Sequence, residues 1–245
     1  SPFLHRSGER VRSDGNRMMN AIPLILTLVL SGAAFSKDEK GVLRERLGTT
    51  DTPRILFVGN SYSFKVPKVL ARIAQDSGRR IVVEGVTRGG WTLEKHARSE
   101  DTLTRIRDGR WDVVVLQEQS QRPSFSKAQR TREMIPHVRT LAAEIRKAGA
   151  VPVFFQTWGR RDGDRSNRKI FPDDTFEKMQ GRLVTGYNEA AVVAGYAPVV
   201  PVGEAWAMEV SKGRGKRLFS KDGSHPSTVG VELSARIFHD FFFGS

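Results

Sequence analysis

Residues Ile55 to Ser63, ILFVGNSYS, run from four unbroken apolar residues into a glycine, an amide and a serine set among turn formers. An apolar run without polar alternation reads as a strand buried on both faces, the habit of a parallel sheet. Gly59 lets the backbone turn sharply at the strand's carboxyl end, and Ser61 falls where open α/β sheets hold their ligands. Ser61 is therefore a nucleophile candidate, although a serine after a strand is more often only a helix cap.

The far end of the chain weighs against the cap. A serine hydroxyl is a poor nucleophile near neutrality and needs a base within hydrogen-bond reach, with a third group to fix that base's tautomer. Lys221 to Ser227, KDGSHPS, offers Asp222 and His225 three residues apart. Gly223 and Pro226 mark the segment as a loop, so one turn can present carboxylate and imidazole together to a distant serine. The nucleophile is not in a G-x-S-x-G elbow.

Between these ends, apolar positions trace alternating elements. Val66, Val69, Leu70, Ile73 and Ala74 recur at helical spacing up to Gly78, and a strand is expected at Ile81 to Val86. A polar helix should follow the GGWTL turn to about Arg107, then a buried strand at Val113 to Leu116. A helix striped by Met134, Val138, Leu141, Ala142 and Ile145 leads to a strand at Val151 to Phe155. A helix over Asp173 to Ala194, a strand over Ala197 to Val202 and a last helix from near Ser227 complete the pattern. Strand–helix alternation predicts parallel pairing through right-handed crossovers, hence an α/β fold: a three-layer α/β/α sandwich on a parallel sheet of about five strands. The loops after the strands then meet along one edge, bringing Ser61, Gly90, Gln119, Trp158 and the 222–225 loop together. Gly159 to Pro172, rich in charge, is read as a solvated insertion, with a substrate-facing loop as the alternative.

GNSYS and DGSHPS resemble the first and last blocks of the SGNH, or GDSL-type, hydrolases, with Asn60 where aspartate is commoner. Two middle blocks fit in order: RGGWTL, Arg88 to Leu93, and WDVVVLQEQS, Trp111 to Ser120. The resemblance implies the flavodoxin-like SGNH hydrolase fold and an acyl-enzyme mechanism without a cofactor. It assigns Ser61 as nucleophile, His225 as base and Asp222 as its orienting partner. The oxyanion donors it implies are the Ser61 and Gly90 backbone N–H groups and a side-chain amide. Glutamines replace the family's asparagine in the third block; Gln119 is the positional match and Gln117 the runner-up. Asn60, Trp91 and Trp158 are expected to touch substrate, although tryptophan after a strand more often packs, and the same holds for Trp206. His96, His137 and His239 are expected on the surface or on helices.

Of 245 residues, Ala21 to Leu30, AIPLILTLVL, form an apolar run too short to span a bilayer, followed by small residues. The expected organisation is upstream or vector-derived sequence at 1–17, a signal peptide at 18–36, a linker at 37–53 and one hydrolase domain at 54–245. Amino-terminal sequencing of protein from an exporting host should find a start between Ala34 and Lys37. The chain has no cysteine, which excludes a disulfide framework and a lipidated cysteine. No H-E-x-x-H and no Cys/His cluster is present, so no metal is implied. A net charge of +13 favours anionic partners, but the basic residues are spread rather than striped, which speaks against specific nucleic-acid binding. The expected product is a periplasmic or secreted esterase without a stable membrane anchor, acting on an ester, chiefly an acetyl ester of a carbohydrate. Lipid or thioester hydrolysis and an inactive carbohydrate-binding relic are the alternatives.

Overall fold

The computed structural model describes residues 32–244. The expected upstream sequence and residues 18–31 of the expected signal peptide lie outside them. Five strands, β1 (Arg54–Gly59), β2 (Val82–Thr87), β3 (Val113–Leu116), β4 (Val151–Phe155) and β5 (Val199–Val200), form one sheet in the order β2-β1-β3-β4-β5. Every pairing is parallel. The central strand shows why its sequence is apolar throughout. Ile55 and Phe57 face one buried cluster with Val113, Val153 and Phe238, while Leu56 and Val58 face the other with Leu116, Leu141 and Leu183. Side chains alternate with a period of two, and both faces are covered by helices, so no position on the strand is left for a polar residue.

One face is covered by α1 (Gly32–Thr49), α2 (Val66–Asp76), α8 (Val202–Ser211) and α9 (Thr228–Phe243). The other is covered by α3 (Leu93–Ala97), α4 (Glu100–Asp108), α6 (Ile135–Lys147) and α7 (Phe176–Val193). A short α5 (Lys127–Glu133), opened by a Ser126–Gln129 capping box, precedes α6.

Four expectations change. The stretch 37–53 is not a tether: α1 runs through it to Thr49, with Leu43 and Leu47 one turn apart and fully buried. Arg44 donates to the Phe241 and Asp240 carbonyls at the end of α9, which fixes α1 in place. The polar helix after the GGWTL turn is two helices, because Ser99 leaves helical geometry and caps α4 through Thr102 N. The fifth strand keeps only two paired residues, since Pro198 and Pro201 bracket it and neither can donate a backbone hydrogen bond. The residues after Pro201 form α8, a helix the alternation of elements did not announce.

Candidate active site

The turn carrying Ser61 is fixed from below. Asn60 is almost wholly buried: its N–H donates to Gln117 Oε1 (2.9 Å) and its Nδ2 donates to the Trp91 carbonyl (2.9 Å). Its Oδ1 accepts from Tyr62 N (3.2 Å) and from Gln117 Nε2 (3.0 Å). Gln117 Oε1 also accepts from the Ser63 hydroxyl (2.9 Å). The amide–amide pair thus ties the end of β1 to the end of β3 beneath Ser61. Gly59 is needed here for space: a Cβ on it would lie 2.6 Å from Gln117 Oε1. Its carbonyl accepts from His96 Nε2–H at 2.8 Å, while His96 Nδ1 accepts from the Thr102 hydroxyl at 3.0 Å. His96 lies on α3, one of the two places expected for it, and is fully buried; burial holds its pKa below the ordinary imidazole value despite the bond to Gly59.

Ser61 Oγ lies 2.9 Å from His225 Nε2, and His225 Nδ1 lies 2.6 Å from Asp222 Oδ2. The other carboxylate oxygen, Oδ1, accepts from the backbone N–H of Ser224 (2.9 Å) and of His225 (3.0 Å). Partial burial pushes the Asp222 carboxyl up, but these hydrogen bonds outweigh it and leave the pKa below the usual carboxylate value. An ionised Asp222 fixes the proton of a neutral imidazole on Nδ1, which leaves Nε2 as acceptor toward the serine hydroxyl.

The Asp222–His225 loop is held on several sides. A left-handed Gly223 (φ +69°) turns it, Ser220 N donates to the His225 carbonyl (2.8 Å), and Arg161 N donates to the Gly223 carbonyl (2.8 Å). Trp158 Nε1 donates to the Ser224 carbonyl (3.0 Å), and the Tyr62 and Ser224 hydroxyls are 2.5 Å apart. Trp158 is sandwiched between Tyr62 (centroids 4.8 Å, 2° between planes) and Trp206 (3.9 Å, 3°). Both faces of its ring are covered and none of it is exposed, so Trp158 supports the loop and has no surface for substrate. Trp206 is equally buried. Asn60, with its polar atoms committed, likewise supports the turn. Trp91 alone of the three expected substrate contacts keeps some exposure, with the Arg88 guanidinium 5.4 Å over its ring.

Around Ser61, the Ser61 and Gly90 N–H groups donate to no protein group among the described residues, and Gly90 sits in a left-handed turn at φ +68°. Gln117 cannot join them. It is fully buried, and its Nε2 hydrogens go to Asn60 Oδ1 and to the Glu118 carbonyl (2.5 Å). Gln119, two residues further out, is only partly buried; its Oε1 accepts from Gln121 N (2.8 Å), and its Nε2 makes long contacts to Gln121 Oε1 (3.3 Å) and Ser120 Oγ (3.5 Å). The charged loop 159–172 is more than a solvated insertion. Arg160 donates to the Ser120 hydroxyl (3.2 Å) and faces the fully buried Asp164.

Sequence reasoning passed over Tyr62, Ser224, His96, Glu118 and Arg160. Tyr62 and Ser224 stand inside the two terminal blocks, next to the residues singled out; Glu118, a carboxylate two residues after a fully apolar strand, was the plainest signal. Among the described residues no three His, Asp or Glu side chains cluster as metal ligands, and no helix is long and apolar enough to cross a membrane.

No family model and no curated protein matches the sequence. Solved structures do. A candidate SGNH hydrolase from Slackia heliotrinireducens is 27% identical, with a TM-score of 0.63 over 78% of this chain and 98% of its own. An acetylxylan esterase from Geobacillus stearothermophilus is 16% identical (TM-score 0.58; 78% and 94% covered). A lipase/acylhydrolase from Enterococcus faecalis is 18% identical (TM-score 0.52; 76% and 93% covered). The last two likenesses concern the fold. With the first, and with four sequence blocks arriving in order at one sheet edge, they relate this chain to the SGNH, or GDSL-type, hydrolase superfamily.

Proposed function

We propose that the protein is an exported serine esterase that removes a short acyl group, chiefly acetyl, from a carbohydrate. The observation that carries this reading is the relay of Ser61 Oγ, His225 and Asp222 at 2.9 and 2.6 Å. Ser61 Oγ attacks the ester carbonyl while His225 Nε2 takes the hydroxyl proton; the tetrahedral intermediate collapses, and the imidazolium returns that proton to the departing alcohol. Water, deprotonated by the same nitrogen, then attacks the acyl-enzyme and releases the acid and free Ser61. Asp222 keeps the imidazole oriented and stabilises its charged form. The Ser61 and Gly90 N–H groups face the developing oxyanion.

Several features support a carbohydrate ester. The acetylxylan esterase shares the fold, half-buried Trp91 offers an indole beside Gly90, and a charge of +13 suits an acidic glycan. Acetate release should exceed release of longer acids across a panel of aryl esters and acetylated polysaccharides. A preference for long acyl chains would move the reading to lipid hydrolysis, and no hydrolysis of any ester would leave the relic.

Gln119 as third donor is the part of this reading closest to the relic alternative. Its amide must turn from Gln121 and Ser120 toward the oxyanion. Removing one preorganised donor costs roughly 100- to 1000-fold in turnover. Gln119→Ala should therefore lower kcat by that order with little change in KM, because the bond matures only in the transition state. Steady-state kinetics decide it: an unchanged kcat leaves the oxyanion to the two backbone groups. Gln117→Ala, by contrast, removes the clamp under Asn60 and should lower thermal stability as well as activity.

A further inference from the structure

Glu118 is the second residue after β3 and is fully buried. One carboxylate oxygen, Oε1, accepts from Leu93 N (3.0 Å) and from Gln119 N (2.6 Å). The other, Oε2, has no partner among the described residues. Leu93 begins α3, three residues after Gly90, and Gln119 opens the loop beyond β3. A single oxygen therefore bridges the two loops that flank Ser61 on either side of β1, and among the described residues no cation makes contact with it. A buried carboxylate held this way is costly, so a core that needed only packing would have an apolar residue at this position.

We propose that Glu118 is a positioning residue that sets the spacing between the Gly90 turn and the Gln119 loop, and so the geometry of the oxyanion donors. This rests on the esterase reading above. The groups that face Glu118 are Glu94 on α3, Arg122 in the turn after β3 and Tyr187 on α7, besides the two N–H donors. Burial pushes the carboxyl up to about 7, against the opposing pull of the Gln119 and Leu93 amides and Arg122, with Glu94 adding to the rise. Near neutrality the clamp thus changes charge. Ionised, Oε1 draws both N–H groups in more strongly; protonated on the free Oε2, it holds them less tightly.

The sign for stability follows from linkage. The folded state holds the proton more firmly than the unfolded chain, where the carboxyl titrates near its ordinary value of 4.5. The stabilisation is therefore fully present at low pH and is lost as pH rises through about 7. Glu118→Gln keeps an acceptor oxygen but cannot ionise, so its melting temperature should gain on the wild type as pH is raised from about 5 to about 8.

Three measurements test the clamp. In Ser61→Ala protein, the amide chemical shifts of Leu93 and Gln119 should titrate together near pH 7 and lie flat when Glu118→Gln is added. Glu118→Ala should lower kcat on the order of 100-fold with a much smaller change in KM, as displaced catalytic groups do, and Glu118→Gln should restore most of that loss. Should the alanine variant fail to fold, the glutamine variant's loss of the amide titration carries the test. Flat wild-type shifts between about pH 5 and pH 9, or an alanine variant with unchanged kcat, would overturn the proposal. Because the shifts are read without turnover, a protein that cleaves no ester but shows the titration refutes the esterase reading and leaves the clamp standing.

Discussion

Replacing Ser61 by alanine is expected to abolish ester hydrolysis, with a loss on the order of 10⁴-fold or more in kcat, and to leave the fold intact. On the esterase reading the hydroxyl forms the covalent bond to the acyl group, yet among the described residues its only polar side-chain partner is His225 Nε2. Its neighbours do the structural work: Asn60, Tyr62 and Ser63 are the buried members of the turn, and each has its own anchor. The variant should therefore melt within a few degrees of the wild type while its turnover collapses. Titration with an active-site-directed phosphonate gives a second readout, since wild type should be modified once, at Ser61, and the variant not at all. Retention of most activity would place the nucleophile elsewhere and remove the basis of the esterase reading.

Trp158→Ala should produce the largest loss of stability among substitutions near the site, about 3–5 kcal/mol as for other buried aromatic-to-alanine changes. The side chain is fully buried, and its removal opens a void between Tyr62 and Trp206 that those rings cannot close without leaving their own contacts. At ~2–4 °C per kcal/mol for a chain of this size, the melting temperature should fall by about 10 °C or more. Activity should fall as well, because the Ser224 carbonyl loses its donor and the Asp222–His225 loop loses the wall it rests on. Trp158→Phe separates the two effects. It keeps a ring in the stack but deletes the Nε1–H, so it should cost less stability while still loosening the loop, seen as a lower kcat. If the phenylalanine variant matches the wild type in kcat, the hydrogen bond to Ser224 plays no part in placing His225.

Much of the fold was legible because the inner strands β1, β3 and β4 are buried on two sides. That requirement forces runs such as ILFV and VVVL, and the intervening 3.6-residue stripes mark the helices that cover them. The candidate triad was legible for a different reason: serine, histidine and aspartate stand in loops, where no packing demand explains them. Hidden residues are those whose chemistry is used internally. Gln117 and Gln119 are the same residue type two apart, yet one is consumed under Asn60 and the other stands at the rim, and only coordinates tell which amide has hydrogens to spare. His96 reads as a polar residue in a polar helix, and nothing local says that its ring reaches back to the Gly59 carbonyl. The α1 helix was missed because LRERL places only two apolar residues on its inner face, and the helix depends on α9 to bury them.

The sandwich of Tyr62, Trp158 and Trp206 also has an optical consequence. An indole whose N–H is bound to a backbone carbonyl emits at a wavelength set by that bond and by its dryness, and here the carbonyl belongs to Ser224, next to His225 in sequence. An excursion of the loop that withdraws the Ser224 carbonyl is expected to admit solvent to Trp158 and to shift its emission to the red. The protein therefore carries an intrinsic fluorophore packed against the Asp222–His225 loop. On the esterase reading, acylation of Ser61 or the docking of a bulky ester against His225 should then be visible in a stopped-flow trace with no label added.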